Sequence, residues 1–262
     1  MRILYLSQSP SNPMREERHD RIQQQLRSYC SAGTELDFDY PDDFPGARVL
    51  VEMGARKALS GLHHTMEAPA LVAKAVWGRS QGYDAIVQSN TFDPGVEASR
   101  LAVDIPVIGL LRTALHVATM LATRVGILVP LSGHIPYTWR LVASYGMSSA
   151  ITDIRSVDMY GLDLAERKDE VFGKAAEVIK QLVAQSGAEF VIPLGAALIP
   201  YVVSVEDLQE ATNVPLINTS LTGIRIAELC VAGGMRQSPL AYPHAGLDLD
   251  SIIGPESHVS QV

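Results

Sequence analysis

The chain has 262 residues, of which 47% are hydrophobic and 19% charged, and a formal net charge of −8. This composition sustains a large core and excludes disorder as the default. The negative charge disfavours nucleic acid and anionic membrane surfaces as partners.

The first apolar run, Ile3–Leu6, is too short for the core of a signal peptide, and no run approaches a membrane span. A cytoplasmic protein is expected. "RILYLSQSPSNP" from Arg2 predicts a strand and then a polar loop, Ser7–Asn12; "EERHDRIQQQLRSY" predicts a helix. "GLHHTMEAP" from Gly61 reads as a loop running into a helix. Its His63, His64 and Glu67 invite a metal reading, but a third ligand at a diagnostic spacing is missing, so no metal is expected.

"GYDAIVQSNTFDPG" from Gly82 predicts a buried strand, a polar turn and a helix, "VEASRLAV"; "DIPVIG" from Asp104 adds a short strand and "TALHVATML" a helix. The pattern then returns. "RVGILVPLSGHIP" from Arg124 resembles the N-terminal strand and loop. "GAEFVIPLGAALIP" from Gly187 and "NVPLIN" from Asn213 resemble the segments from Gly82 and Asp104, and "TSLTGIRIAEL" closes the second copy. From Gly233 the periodicity fails.

The chain therefore reads as a duplicated αβ unit. Alternating strands and helices imply parallel sheets with right-handed crossovers. The expected fold is α/β: two pseudo-symmetric lobes, each a mainly parallel sheet flanked by helices, with the site in the cleft between them. The lobes are expected at 1–112 and 113–232, with 233–262 an irregular tail and a C-terminal helix able to cross back to the first lobe. Ligands of open α/β sheets bind beyond the strand C-termini. The expected walls are Ser7–Asn12, Ser89–Asp93, Leu131–His134 and Gly195–Leu198, closed by the stretches around Arg112 and Asn218.

"GYDAIVQSNTFDPGVEASRLAVDIPVIG" is similar to the hydantoin racemase pattern of strand, Cys-Phe-Gly-Asp-Pro-Gly, helix and Pro-Val-Val-Gly. "IPLGAAL" with "VPLIN" is similar to that family's Leu-Gly-Cys motif and its Pro-Val-Ile-Asp. Over most of residues 1–232 the chain resembles the aspartate/glutamate/hydantoin racemase superfamily. The resemblance implies two α/β lobes, no cofactor or metal, a homo-oligomer, and one cysteine from each lobe flanking the substrate's carbon acid. Both thiols are missing here. Counted from Asp93, the first falls on Asn90; aligned on the Cys-Asn-Thr of the amino-acid racemases, it falls on Ser89. The second falls on Ala196 or on Gly195. The family's first-loop Asn is matched by Ser9, and the Asp of its Pro-Val-Ile-Asp by Asn218.

A thiolate is accessible near neutral pH, whereas Ser, Asn, Ala and Gly offer no comparable base. Racemisation between two thiols is therefore excluded at these positions. Cys30 and Cys230 fall within or at the end of predicted helices and read as small buried hydrophobes. Replacement chemistry must come from the strand-end loops. His134 is the candidate acid or base, with Asp93 as a second and Asn90 as a transition-state donor. Asp93 before Pro-Gly also suits an ordinary helix N-cap. Ser9, Ser89, Thr91, Ser132, Gly195, Ala196, Ala197, Asn218 and Thr219 are the expected substrate contacts.

The expected function is a cofactor-independent enzyme acting on a small carboxylate or cyclic amide, of isomerase, lyase, decarboxylase or hydrolase type. The alternative is a small-molecule-binding protein that keeps the racemase-like cleft without chemistry. A histidine or carboxylate of shifted pKa at the site favours the enzyme.

Overall fold

In a computed structural model of the chain, the described residues are 1–7, 16–41, 52, 53, 56, 61–161 and 163–243. They form two parallel sheets flanked by helices. One unit draws on Met1–Ala47, His64–Gly109 and Gly223–Val262, the other on Arg48–His63 and Leu110–Thr222.

The first unit holds β1 (Arg2–Leu6), β2 (Glu35–Asp39), β3 (Ala85–Gln88) and β4 (Val107–Gly109), all parallel, in the order β2-β1-β3-β4. Its helices are α1 (Glu16–Ser28), most of α2 (Gly61–Ser80) and α3 (Val96–Ala102). Every residue of β3 is buried, as a strand covered on both faces requires. Leu71, Ala75 and Val76 of α2 pack with Leu4, Ile86 and Val107. A Cβ on Gly78 would come within 2.6 Å of Leu4, so α2 lies close on the sheet.

The second unit holds β5 (Val125–Val129), β6 (Ile151–Ser156) and β7 (Phe190–Pro193) in the order β6-β5-β7. Its helices are α4 (Leu110–Leu121), α5 (Ile135–Ser144), α6 (Lys168–Ser186), α7 (Val205–Thr212) and the start of α8 (Thr219–Ala232). Leu128 and Val191 of the sheet pack with Val171, Ile179 and Leu208 of α6 and α7. The stretch matching β4 forms only a parallel bridge, Val191 to Leu216. The Val191 amide donates to the Pro215 carbonyl and the Ile217 amide to the Val191 carbonyl. With Leu216 counted as the fourth position, each unit has the same strand order, which is the duplication read from the sequence.

Two details depart from the sequence reading. Gly61–Ser80 is helical throughout, including "GLHHTMEAP" and Pro69 in its interior. Helix α3 is capped by Gly95 in the left-handed conformation, not by Asp93, and has no side-chain cap. Of the tail, Tyr242 is the clearest anchor: its hydroxyl donates to Glu97 of α3, 3.0 Å. None of the described helices is long and apolar enough to cross a membrane.

Candidate functional site

The turn after β3 is built by its own side chains. The Ser89 amide still belongs to the sheet, donating to the Leu6 carbonyl, 2.9 Å. The Asn90 amide donates to Gln88 Oε1, 2.7 Å, and Asn90 Oδ1 accepts from the Phe92 amide, 3.0 Å. An Asn that accepts from the amide two residues on forms a turn of its own. The Asp93 amide then donates to the Asn90 carbonyl, and the Val96 amide to the Asp93 carbonyl.

Two glycines set where this turn lies. Gly95 has φ 71°, and a Cβ there would sit 3.1 Å from the Ala68 carbonyl of α2. The turn can thus touch α2 only with glycine at this place. Asp93 also has a positive φ, 51°. Its carboxyl covers Gly109 so closely that a Cβ on Gly109 would meet Cγ at 2.6 Å.

Contact with α2 brings Asn90 to two residues one turn apart on that helix. Asn90 Nδ2 donates to Glu67 Oε1, 3.0 Å, and lies 3.0 Å from His64 Nδ1; His64 Nδ1 and Glu67 Oε1 are themselves 3.0 Å apart. The Phe92 ring packs on the His64 ring, centroids 4.8 Å apart. Glu67 is 0% exposed, His64 2% and Asn90 7%. Glu67 Oε2 finds no hydrogen-bond partner among the described residues. Burial pushes the Glu67 carboxyl up to about 8, against a smaller opposing pull from the Asn90 hydrogen bond. It is therefore a neutral acid near pH 7, at a position that the sequence reading weighed only as a metal ligand.

Thr91 is buried beside Asn90. In the second unit, Ser132–His134 forms a 3-10 turn that runs into α5. Ser132 is exposed and its amide donates to Asp158 Oδ1, 2.9 Å. His134 is only 2% exposed, and its ring packs edge-on against His63 at 6.1 Å. Burial first, then His63, lower its pKa to about 4. Gly195 has φ 85°, and Pro130 occupies the space a Cβ would need. Ala196 is buried and Ala197 half-buried.

Asn218 caps α8, its Oδ1 accepting from the Leu221 amide, 3.1 Å. Thr219 follows, and its buried Oγ1 has no hydrogen-bond partner among the described residues. Ser9 lies outside the described residues. Within the first unit, then, Asn90, Thr91 and Asp93 share one buried turn, and Asn90 joins it to His64 and Glu67 of α2. Cys30 lies beyond α1, and Cys230 lies in α8; both are half-buried, and burial raises both thiols above their ordinary value. An activated thiol is shifted the other way.

The signal that would have found Glu67 is positional. His63, Glu67, Leu71 and Ala75 recur at helical spacing, and all are buried. An acid in such an apolar stripe is an anomaly that asks for a reason.

A family model described as Asp/Glu/Hydantoin racemase matches residues 19–227. A hydantoin racemase of Rhizobium meliloti is 31% identical over 218 residues, covering 81% of this chain and 84% of the relative. Among solved structures, allantoin racemase from Klebsiella pneumoniae superposes with a TM-score of 0.79 at 23% identity, covering 97% of this chain and 99% of that one. Unliganded arylmalonate decarboxylase has the same fold at greater distance, with a TM-score of 0.56 at 13% identity over 90% and 95% of the two chains. The order of strands, the Asp-Pro-Gly turn after β3 and these matches agree: the chain belongs to the Asp/Glu/hydantoin racemase family.

Proposed function

We propose that this protein is a cofactor-independent enzyme acting on a small carboxylate or a cyclic amide, without the two-cysteine mechanism that the family resemblance implies. The observation that carries this reading is the turn after β3. Its backbone is fixed closely, with Gly95 against Ala68 and Asp93 against Gly109, and its centre holds Asn90 at the position where the resemblance implies a thiol. The second unit supports the same reading. A side chain at Gly195 is barred by φ and by Pro130, which favours Ala196 as the second thiol position, and Ala196 has neither acid nor base.

The reaction is of isomerase, lyase, decarboxylase or hydrolase type, with Asn90, Thr91 and Ser89 on the substrate side of β3. Asp93 holds the turn against β4, and buried His134 is neutral at pH 7, the form a general base requires. Ser132, Ala197, Asn218 and Thr219 complete the proposed substrate contacts in the second unit. Assembly of several copies is part of the proposal; Met120 and Leu121, 82% and 68% exposed at the end of α4, support it.

The test is a panel of dicarboxylates, arylmalonates and 5-substituted hydantoins, followed by melting temperature and by NMR for turnover. A ligand that binds only the native state raises its melting temperature. At least one class is expected to do so and to be consumed, and Thr91→Val is expected to weaken both effects. No shift with any class, or racemisation abolished by thiol alkylation, contradicts the proposal.

A further inference from the structure

Most buried polar groups of the described residues have a structural duty, but Glu67 is over-qualified for one. A buried carboxyl costs free energy unless it is well satisfied. Glu67 is completely buried, holds one oxygen in hydrogen bonds, and leaves Oε2 with no partner among the described residues. A glutamine or leucine would serve packing better. The residue it touches is Asn90, which stands at the first thiol position counted from Asp93.

We propose that His64 and Glu67 form the proton-transfer dyad of the first unit, taking over the work of the thiol that Asn90 replaces. This rests on the functional reading above. His64 is the catalytic residue, and Glu67 acts through it as proton store. The geometry supplies each part. His64 Nδ1 and Glu67 Oε1 are 3.0 Å apart, and Asn90 Nδ2 donates to that same oxygen at 3.0 Å. Phe92 fixes the ring from one side. A carboxyl that donates to Nδ1 sets the tautomer, leaving the ring's hydrogen on Nε2, the nitrogen that the proposal assigns to the substrate.

The step balances without a cofactor. In the resting dyad, Glu67 carries its proton on Oε1 and donates it to Nδ1, while Nε2 of the neutral ring bears the second hydrogen. When a substrate carbanion accepts the Nε2 proton, its electron pair becomes the new C–H bond. Nδ1 takes the Glu67 proton in the same event. The negative charge thereby passes from carbon to the Glu67 carboxylate, where Asn90 Nδ2 stabilises it by a charge-assisted hydrogen bond. Run in reverse, the dyad removes a proton from a carbon acid. Burial holds Glu67 protonated near neutrality, the state from which the forward step starts.

The test uses the full chain and one probe, a single enantiomer of 5-benzylhydantoin in deuterated water, with exchange at the carbon acid followed by NMR. The wild type is expected to exchange that hydrogen. Glu67→Gln keeps the hydrogen bond from Asn90 and is expected to lower turnover about 10²–10⁴-fold, the usual cost of losing an acid–base group; His64→Gln is expected to fall as far. Glu67→Asp restores part of the rate, and the alkaline limb of the wild-type pH profile disappears in Glu67→Gln. In parallel, protein labelled with ¹³C at the glutamate carboxyls shows one group titrating above neutrality, which Glu67→Gln removes. Full exchange in a folded Glu67→Gln, or a Glu67 carboxyl that titrates in the ordinary range, overturns the dyad while leaving the functional reading intact. No exchange by the wild type with this probe or with the earlier panel overturns that reading, and the dyad's catalytic role with it.

Discussion

Asn90 Nδ2 and Glu67 Oε1 lie 3.0 Å apart, joining the turn after β3 to helix α2 where both side chains are buried. The contact is possible because Gly95 lets the turn approach Ala68, the residue next to Glu67. It makes one turn both a structural clamp and the anchor of a titratable group.

Asn90→Ala should therefore act on both. It removes the acceptor of the Phe92 amide and the donor to Glu67. Leaving buried groups unsatisfied costs roughly 1–3 kcal/mol each. We expect a lower urea midpoint with an unchanged slope, together with loss of ligand-induced stabilisation. A variant of parental stability would show that the clamp is weak.

Glu67 also predicts a pH dependence. Its folded pKa is raised from 4.5 to about 8. The native state thus holds its proton while the unfolded chain releases it. The stability this provides is complete below 4.5 and is lost as pH rises to about 8. Glu67→Gln should match the parent near pH 4 and exceed it at pH 8, by an amount on the order of 4–5 kcal/mol. Equal pH dependence of the two proteins in chemical denaturation would contradict this.

His134 predicts the opposite sign. Burial and His63 lower its pKa from 6.5 to about 4, so the unfolded state takes up a proton that the native state refuses. Its contribution is complete above 6.5 and is lost as pH falls towards 4. His134→Gln should flatten the acid side of the stability profile by on the order of 2–3 kcal/mol. An unchanged acid limb would show that His134 is not shielded.

The fold was legible because its signals are local. "AIV" and "FVI" became buried parallel strands β3 and β7, and turn residues separated them from helices. The site was legible only in part. Asn90, Thr91 and Asp93 follow a strand and carry a motif. Glu67 lies 23 residues before Asn90 in the middle of a helix, and its role comes from a tertiary contact that no spacing encodes. Gly61 and Pro69 disguised that helix as a loop. Gly61 lies under the Tyr137 ring, where a Cβ would clash, and Pro69 is carried by packing despite its missing N–H. Asp93 reads as a cap from sequence, but its carboxyl lies over Gly109, in the space a Cβ there would need.

Two glycines give a paired test of the backbone account. Gly195→Ala places a methyl against Pro130 at φ 85° and should cost about 2–4 kcal/mol. Gly173→Ala, inside α6 with no neighbour within 4 Å of the added Cβ, should gain about 0.5–1 kcal/mol. Melting temperatures that move in the same direction would contradict the argument.

The central claim is proton transfer without thiols, and the double variant Cys30→Ser, Cys230→Ser tests it most directly. Both thiols are half-buried, and burial raises both. We predict that this cysteine-free protein exchanges the carbon-bound hydrogen of 5-benzylhydantoin with deuterated water at the parental rate. Loss of exchange in a double variant that folds normally would contradict the account and return the chemistry to a cysteine.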